Sequence, residues 1–125
     1  KDPATRATAR SYACEMHSGF QYLRDQLTLD FARSQEMPEL RPETKTQIER
    51  ILSAWDGALA DYKGEFLFGN FSVADCMYAP VVSRFLTYGV ETSAAVKAYM
   101  DRVMALPGMQ EWRRCAQAEV DAGIV

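Results

Sequence analysis

Cysteine, histidine and concentrated positive charge are all scarce in this chain, and each scarcity removes a class of function. Only three cysteines occur in 125 residues, at Cys14, Cys76 and Cys115, with no C-x-x-C pair and a single histidine. An odd, widely spaced set argues against a disulfide framework and against zinc, so no metal is expected. It fits a reducing, cytoplasmic setting, with all three thiols expected to be buried structural residues. The net charge is −3 and no cluster of lysines or arginines stands out. Neither nucleic acid nor an anionic membrane is therefore an expected partner. No apolar run approaches the ~20 residues that a membrane span needs. The opening "KDPATRATAR" has no apolar h-region and is not expected to be a signal peptide. The chain begins with lysine rather than methionine and is expected to be a piece of something longer.

What is present reads as helix throughout. The length suits one domain, 1–125, with a real core, and 48% apolar with 25% charged residues is the mix of a globular protein. Asp2 and Pro3 form a helix start. Behind them Ala9, Ala13, Met16, Phe20, Leu23 and Leu27 repeat at spacings of three and four and predict one helical stripe, interrupted only by the costly Gly19. "ARSQEMPELRP" is expected to be a loop. Ile48, Ile51, Leu52, Trp55, Leu59 and Tyr62 form a second stripe, ended by Gly64. A further helix is expected from Ser93, with Val96, Tyr99, Met100, Val103 and Met104 inward. Another starts at Pro107, with Met109, Trp112 and Ala116 inward and a tail "AEVDAGIV" expected to fray or pack loosely.

"GNFSVADCMYAPVV" lies between them. Ser72 and Asp75 stand in the S-x-x-[DE] relation of a capping box, with Phe71 and Cys76 at the staple positions. After the cap, Val73, Ala74, Met77, Tyr78, Ala79, Val81, Val82, Phe85 and Leu86 cover nearly the whole circumference. That predicts a buried central helix, kinked or loosened by Pro80. Asp75 is assigned to folding rather than to acid catalysis, because backbone amides occupy its acceptors. The fold class is all-α, about five helices, one wrapped by the others.

Three motifs carry a resemblance. "FLFGNFSVADCMYAPVV", "YMDRVMALPGMQEW" and "RSYACEMHSGFQYLR" occur in the order and spacing of the glutathione S-transferase C-terminal helical domain, the last similar to bacterial beta-class members. The resemblance covers Asp2 to about Glu119. It implies a thioredoxin-like domain ahead of this one, holding most of the glutathione site and the group that supports the glutathione thiolate. No catalytic residue is then expected in this chain. The helical domain would supply the wall that binds a small electrophilic substrate, and a homodimer is expected from the face left uncovered.

"EMHSGF" is similar to the segment of beta-class enzymes whose histidine lies beside the glutathione sulfur. By the resemblance, His17 and Ser18 are glutathione-contacting candidates, with Ser18 standing where the family has lysine. The competing reading of His17 is a histidine hydrogen-bonded inside a domain interface. Tyr12, Met16 and Phe20, spaced i, i+4, i+8, are candidates for the second-substrate pocket, against core packing for Met16 and Phe20. Tyr88 is a weaker candidate for its rim, and Arg84 is expected in a structural ion pair. Two further hypotheses stay open: a non-catalytic interaction module, as occurs with this fold in translation factors and tRNA synthetases, and a purely structural fragment.

Overall fold

The computed structural model describes residues 2–125. Six helices follow one another: α1 Pro3–Ser18, α2 Gln21–Gln26, α3 Pro42–Tyr62, α4 Val73–Thr87, α5 Ala94–Met104 and α6 Pro107–Asp121. Among the described residues there is no strand, only an isolated bridge between Phe66 and Gly69. No helix among them is long and apolar enough to cross a membrane.

The expected first helix is two. Asp2 caps α1 by accepting from the Thr5 amide at 3.0 Å, and Pro3 sits at its first position. The helix stops at Ser18, where the Gly19 amide donates to the Glu15 carbonyl at 2.8 Å. A Cβ on Gly19 would stand 2.7 Å from that carbonyl oxygen, so only glycine fits without a shift. Phe20 then takes a left-handed conformation, φ 61°, unusual for a bulky residue, and α2 starts. Met16, Phe20, Leu23 and Leu27 still meet in one core, because the elbow folds α2 back rather than continuing the stripe.

Trp55 of α3 is the centre of that core. It is fully buried, with the rings of Tyr78, Phe85 and Tyr99 at 5.4–5.5 Å, so α3, α4 and α5 converge on one indole. Gly64 does not end α3. Lys63 is the cap, itself left-handed at φ 47°. Gly64 serves a different purpose: a Cβ there would lie 2.3 Å from the Cα and carbonyl oxygen of Gly69, so the connector between α3 and α4 closes only glycine on glycine.

α4 packs against α1 and α5. Ser72 and Asp75 form its capping box, with the Ser72 amide donating to Asp75 Oδ2 at 2.8 Å. The helix runs through Pro80, which removes the amide that would have met the Cys76 carbonyl. It is not buried all round. Val73 is 71% exposed, Phe71 is 50% exposed and Cys76 lies on the surface. Phe71 and Cys76 therefore do not close a buried staple. Ser93 caps α5 from the Val96 amide and donates to Asp56 of α3 at 2.6 Å. The tail does not fray but packs loosely: Ile124 and Val125 are exposed beyond a capped helix end. Gly123, at φ 70°, donates to Val120 and Ile124 donates to Glu119, both at 3.0 Å, which is a Schellman ending for α6.

Candidate functional site

The elbow between α1 and α2 gathers most of the residues that the sequence singled out. Arg24 of α2 reaches back and donates from Nη2 to the carbonyl oxygens of Met16 and His17, two of the orphan acceptors at the end of α1. From the other side, Arg84 in the last turn of α4 donates from Nε to the Leu27 carbonyl at 2.8 Å. Tyr88 follows it, its hydroxyl 3.0 Å from that of Thr28. The expected ion pair of Arg84 is absent: among the described residues neither Arg84 nor Arg24 meets a carboxylate, and Arg24 Nη2 and Arg84 Nε and Nη1 donate to backbone carbonyls instead. Burial, and after it the neighbouring Arg24 cation, push the Arg84 pKa below its usual value, against an opposing pull from Tyr88.

His17 and Tyr12 do not share a surface. Five residues apart on one helix, they point about 140° from each other. His17 is exposed, and among the described residues its ring makes no hydrogen bond, so the reading of a satisfied interface histidine has no support within this chain. The Ser18 hydroxyl is spent on the Cys14 carbonyl at 2.9 Å. Tyr12 is half-buried. Its ring meets the edge of Phe68 at 5.5 Å and lies under the Arg50 guanidinium at 5.8 Å. Arg50 in turn grips Glu15 through two bonds of 2.9 and 3.0 Å, and that carboxylate is the largest cause of its raised pKa. Tyr12 is thus part of a clamp between α1 and α3. Met16 and Phe20 are buried in the core and offer no open wall to a ligand, because the elbow turns both inward.

A largely apolar opening lies elsewhere on this domain. A groove of ≈ 440 Å³ runs between the first half of α4 and the joint of α5 with α6, lined by Phe71, Cys76, Ala79, Leu106, Met109 and Trp112 among others. Trp112 does not turn inward as expected. It is 43% exposed and stacks on Phe31 at 4.2 Å, so one face of the indole is packed and the rest is open. None of the three thiols is buried: Cys14, Cys76 and Cys115 are all free and exposed. Sequence reasoning missed this groove because a helix with apolar residues on every side looks wholly internal. The signal was the excess itself, since Phe71, Val73 and Cys76 are more apolar surface than α1 and α5 can cover.

Residues 38–115 match the family model of the glutathione S-transferase C-terminal domain. No curated protein matches the chain.

Proposed function

The chain belongs to the glutathione S-transferase C-terminal domain family, and from that premise we propose that it is the helical, electrophile-binding half of a glutathione transferase. In that reaction a glutathione thiolate attacks an electrophilic substrate, and a site that lowers the thiol pKa supplies the nucleophile. The thiolate-supporting group would belong to a thioredoxin-like domain outside the residues described, and this chain would contribute the floor on which that domain sits. The observation that carries the reading is the open apolar groove between α4 and α6, lined by the exposed Phe71 and Trp112. Apolar surface of this extent calls for a cover, and a thioredoxin-like domain is the cover the family supplies. If the covering domain instead reached the flank of α1, His17, exposed there with its ring uncommitted, would approach the glutathione sulfur. The full protein would be a cytoplasmic homodimer.

The test is glutathione conjugation of an electrophilic aromatic substrate. The 125-residue chain alone should show none above background, whereas the same chain joined to a thioredoxin-like domain should turn over. Activity in the chain alone, or none in the joined protein, would overturn the proposal. One observation favours the runner-up, a non-catalytic interaction module. Tyr12 and His17 face different ways, so this chain does not by itself assemble the pocket that the resemblance implies.

A further inference from the structure

A second hollow adjoins the groove across the Phe31–Trp112 stack. Trp112 lines the groove, whereas Phe31 lines a smaller pocket of ≈ 90 Å³ between residues 31–34, the second half of α4, the end of α5 and α6. Arg33, Ser34, Ser83 and Arg113 line this pocket, and none of the described residues lining it is a carboxylate. Ser83 is only 3% exposed, yet its hydroxyl has no hydrogen-bond partner among the described residues. A serine inside a helix ordinarily returns that hydroxyl to a carbonyl one turn back, as Thr87 does to Ser83 at 2.9 Å. Ser83 does not, and it lines the pocket instead. Arg113 is exposed and makes no hydrogen bond or ion pair among the described residues. Arg33 spends Nε on Asp30 at 2.7 Å and keeps its two terminal nitrogens free. Asp30 also accepts from Gln35 and from the Ala32 and Arg33 amides, so it does not depend on Arg33 alone.

We propose that this pocket binds a phosphate group, free or carried on a small molecule. Two guanidinium groups and two hydroxyls face one hollow from three separate parts of the chain. Donors arriving from several directions suit a tetrahedral oxyanion, whereas a planar carboxylate is satisfied by a single arginine fork. A phosphate ester carries about −1.5 to −2 charges near neutral pH, which two cations match. A water molecule's share of liquid volume is about 30 Å³, so the pocket has room for one phosphate group but not for a sugar or a base with it. The ligand would also give the buried Ser83 hydroxyl the partner that buried polar groups normally have. The walls are set beforehand: the Thr87 hydroxyl on the Asp30 carbonyl at 2.7 Å and the Gln35 amide on the Thr87 carbonyl at 2.9 Å clip the loop to α4. Such preorganisation lowers the ordering cost of binding. The pocket is separate from the groove, so the site stands whether or not the transferase reading holds.

Inorganic phosphate replaces chloride at constant ionic strength and neutral pH, while the Nε–Hε resonances of Arg33 and Arg113 and the Ser83 amide are followed. All three should shift and saturate together, while Arg50, paired with Glu15 on another face, stays still. Arg113→Gln breaks no bond of the fold and should weaken phosphate binding by about tenfold, the loss expected for a charge-assisted contact. Ser83→Ala removes a hydroxyl that holds nothing, so its urea midpoint should be unchanged while phosphate binds about fivefold more weakly. A merely structural serine would give the reverse, a lower midpoint with affinity unchanged, and would overturn its role. Phenyl phosphate, titrated beside the free ion, separates the two sources. Tighter binding of the ester assigns the pocket to an organic phosphate, and tighter binding of the ion assigns it to inorganic phosphate. Absence of a saturable shift in the parent chain would overturn the site, and needs no variant to fold. Acetate binding as tightly as phosphate would overturn the choice of ligand.

Discussion

The Tyr99 hydroxyl donates to Asp75 Oδ1 at 3.0 Å and so ties the middle of α5 to the first turn of α4. The same oxygen accepts from the Leu67 amide at 3.2 Å, and Oδ2 accepts from the Ser72 amide. Asp75, only 1% exposed, thus joins the connector, the cap and a neighbouring helix through one carboxylate. With the Ser72 hydroxyl also on Oδ2 at 3.3 Å, Asp75→Ala would strand four donors around it, at roughly 1–3 kcal/mol for each that stays dry. We expect a loss of about 3 kcal/mol or more in urea unfolding, well above the ~1 kcal/mol of a cap alone. An unchanged midpoint would remove Asp75 from the folding centre.

Tyr99 should also set the alkaline limit. Burial, and next the Asp75 charge, push its phenol far above the ordinary value near 10. The folded state keeps the proton while the unfolded chain loses it, so stability is intact below pH ~10 and falls as pH rises further. Tyr99→Phe removes one such proton. The slope of stability against pH above ~10 should flatten by about 1.4 kcal/mol per unit, with Tyr78, also raised by burial, accounting for part of what remains. Equal alkaline slopes in the two proteins would refute the assignment.

The acid side points to Asp30. Burial alone would raise its pKa, but bonds from the Arg33 amide, the Gln35 side chain, the Arg33 guanidinium and the Ala32 amide outweigh that and lower it. A depressed carboxylate stabilises above the unfolded value near 4, and that contribution disappears as pH drops through the folded pKa. Asp30→Asn should therefore be less stable than the parent at pH 6 and converge with it at the acid end. Parallel curves from pH 6 to 2 would count against the role. Thr87 and Gln35 are the other ties of this loop to α4, since the Thr87 hydroxyl donates to the Asp30 carbonyl and the Gln35 amide donates to the Thr87 carbonyl.

Glycine positions separate by what surrounds them. Gly57 lies within α3 with nothing near its absent side chain. Gly57→Ala should stabilise by about 0.5–1 kcal/mol through helix propensity. Gly64→Ala puts a methyl into the backbone of Gly69, which cannot move without breaking the Phe66–Gly69 bridge, and should cost about 2 kcal/mol or more. Chemical denaturation of both variants checks the pair, and like signs would contradict it.

How far the sequence could be read follows from the range of each signal. Asp2–Pro3, Ser72–Asp75, Ser93 and Pro107 act within one turn of their own chain, and each marks a helix start in the structure. The core side chains of α3 and α5 likewise follow from period alone. The elbow does not. Gly19 carries a cost that a helix can bear, and what ends the helix is the Glu15 carbonyl lying against it and a left-handed Phe20 that nothing in the local sequence signals. For the thiols and Trp112 the only local signal is hydrophobicity, which tells what a side chain prefers but not whether a neighbour exists to bury it. The site was the least legible part, because the groove lined by Phe71, Cys76, Met109 and Trp112 depends on how α6 meets the first half of α4.

Thiol reactivity offers the sharpest test of the groove. Cys14, Cys76 and Cys115 are all exposed, so all three should react with an aromatic disulfide reagent in the native protein, without denaturant. Cys76 lines the groove between α4 and α6, whereas Cys14 stands on α1 and Cys115 on α6, and neither lines that groove. If a thioredoxin-like domain covers the groove, Cys76 alone should become slow, by about tenfold or more for a protection of 1.4 kcal/mol. Trp112 emission should shift to the blue at the same time, since its open edge loses water while Trp55 is already buried. Protection of Cys14 with Cys76 left fast would place the covering domain on the flank of α1 instead, and would move the proposed interface to His17.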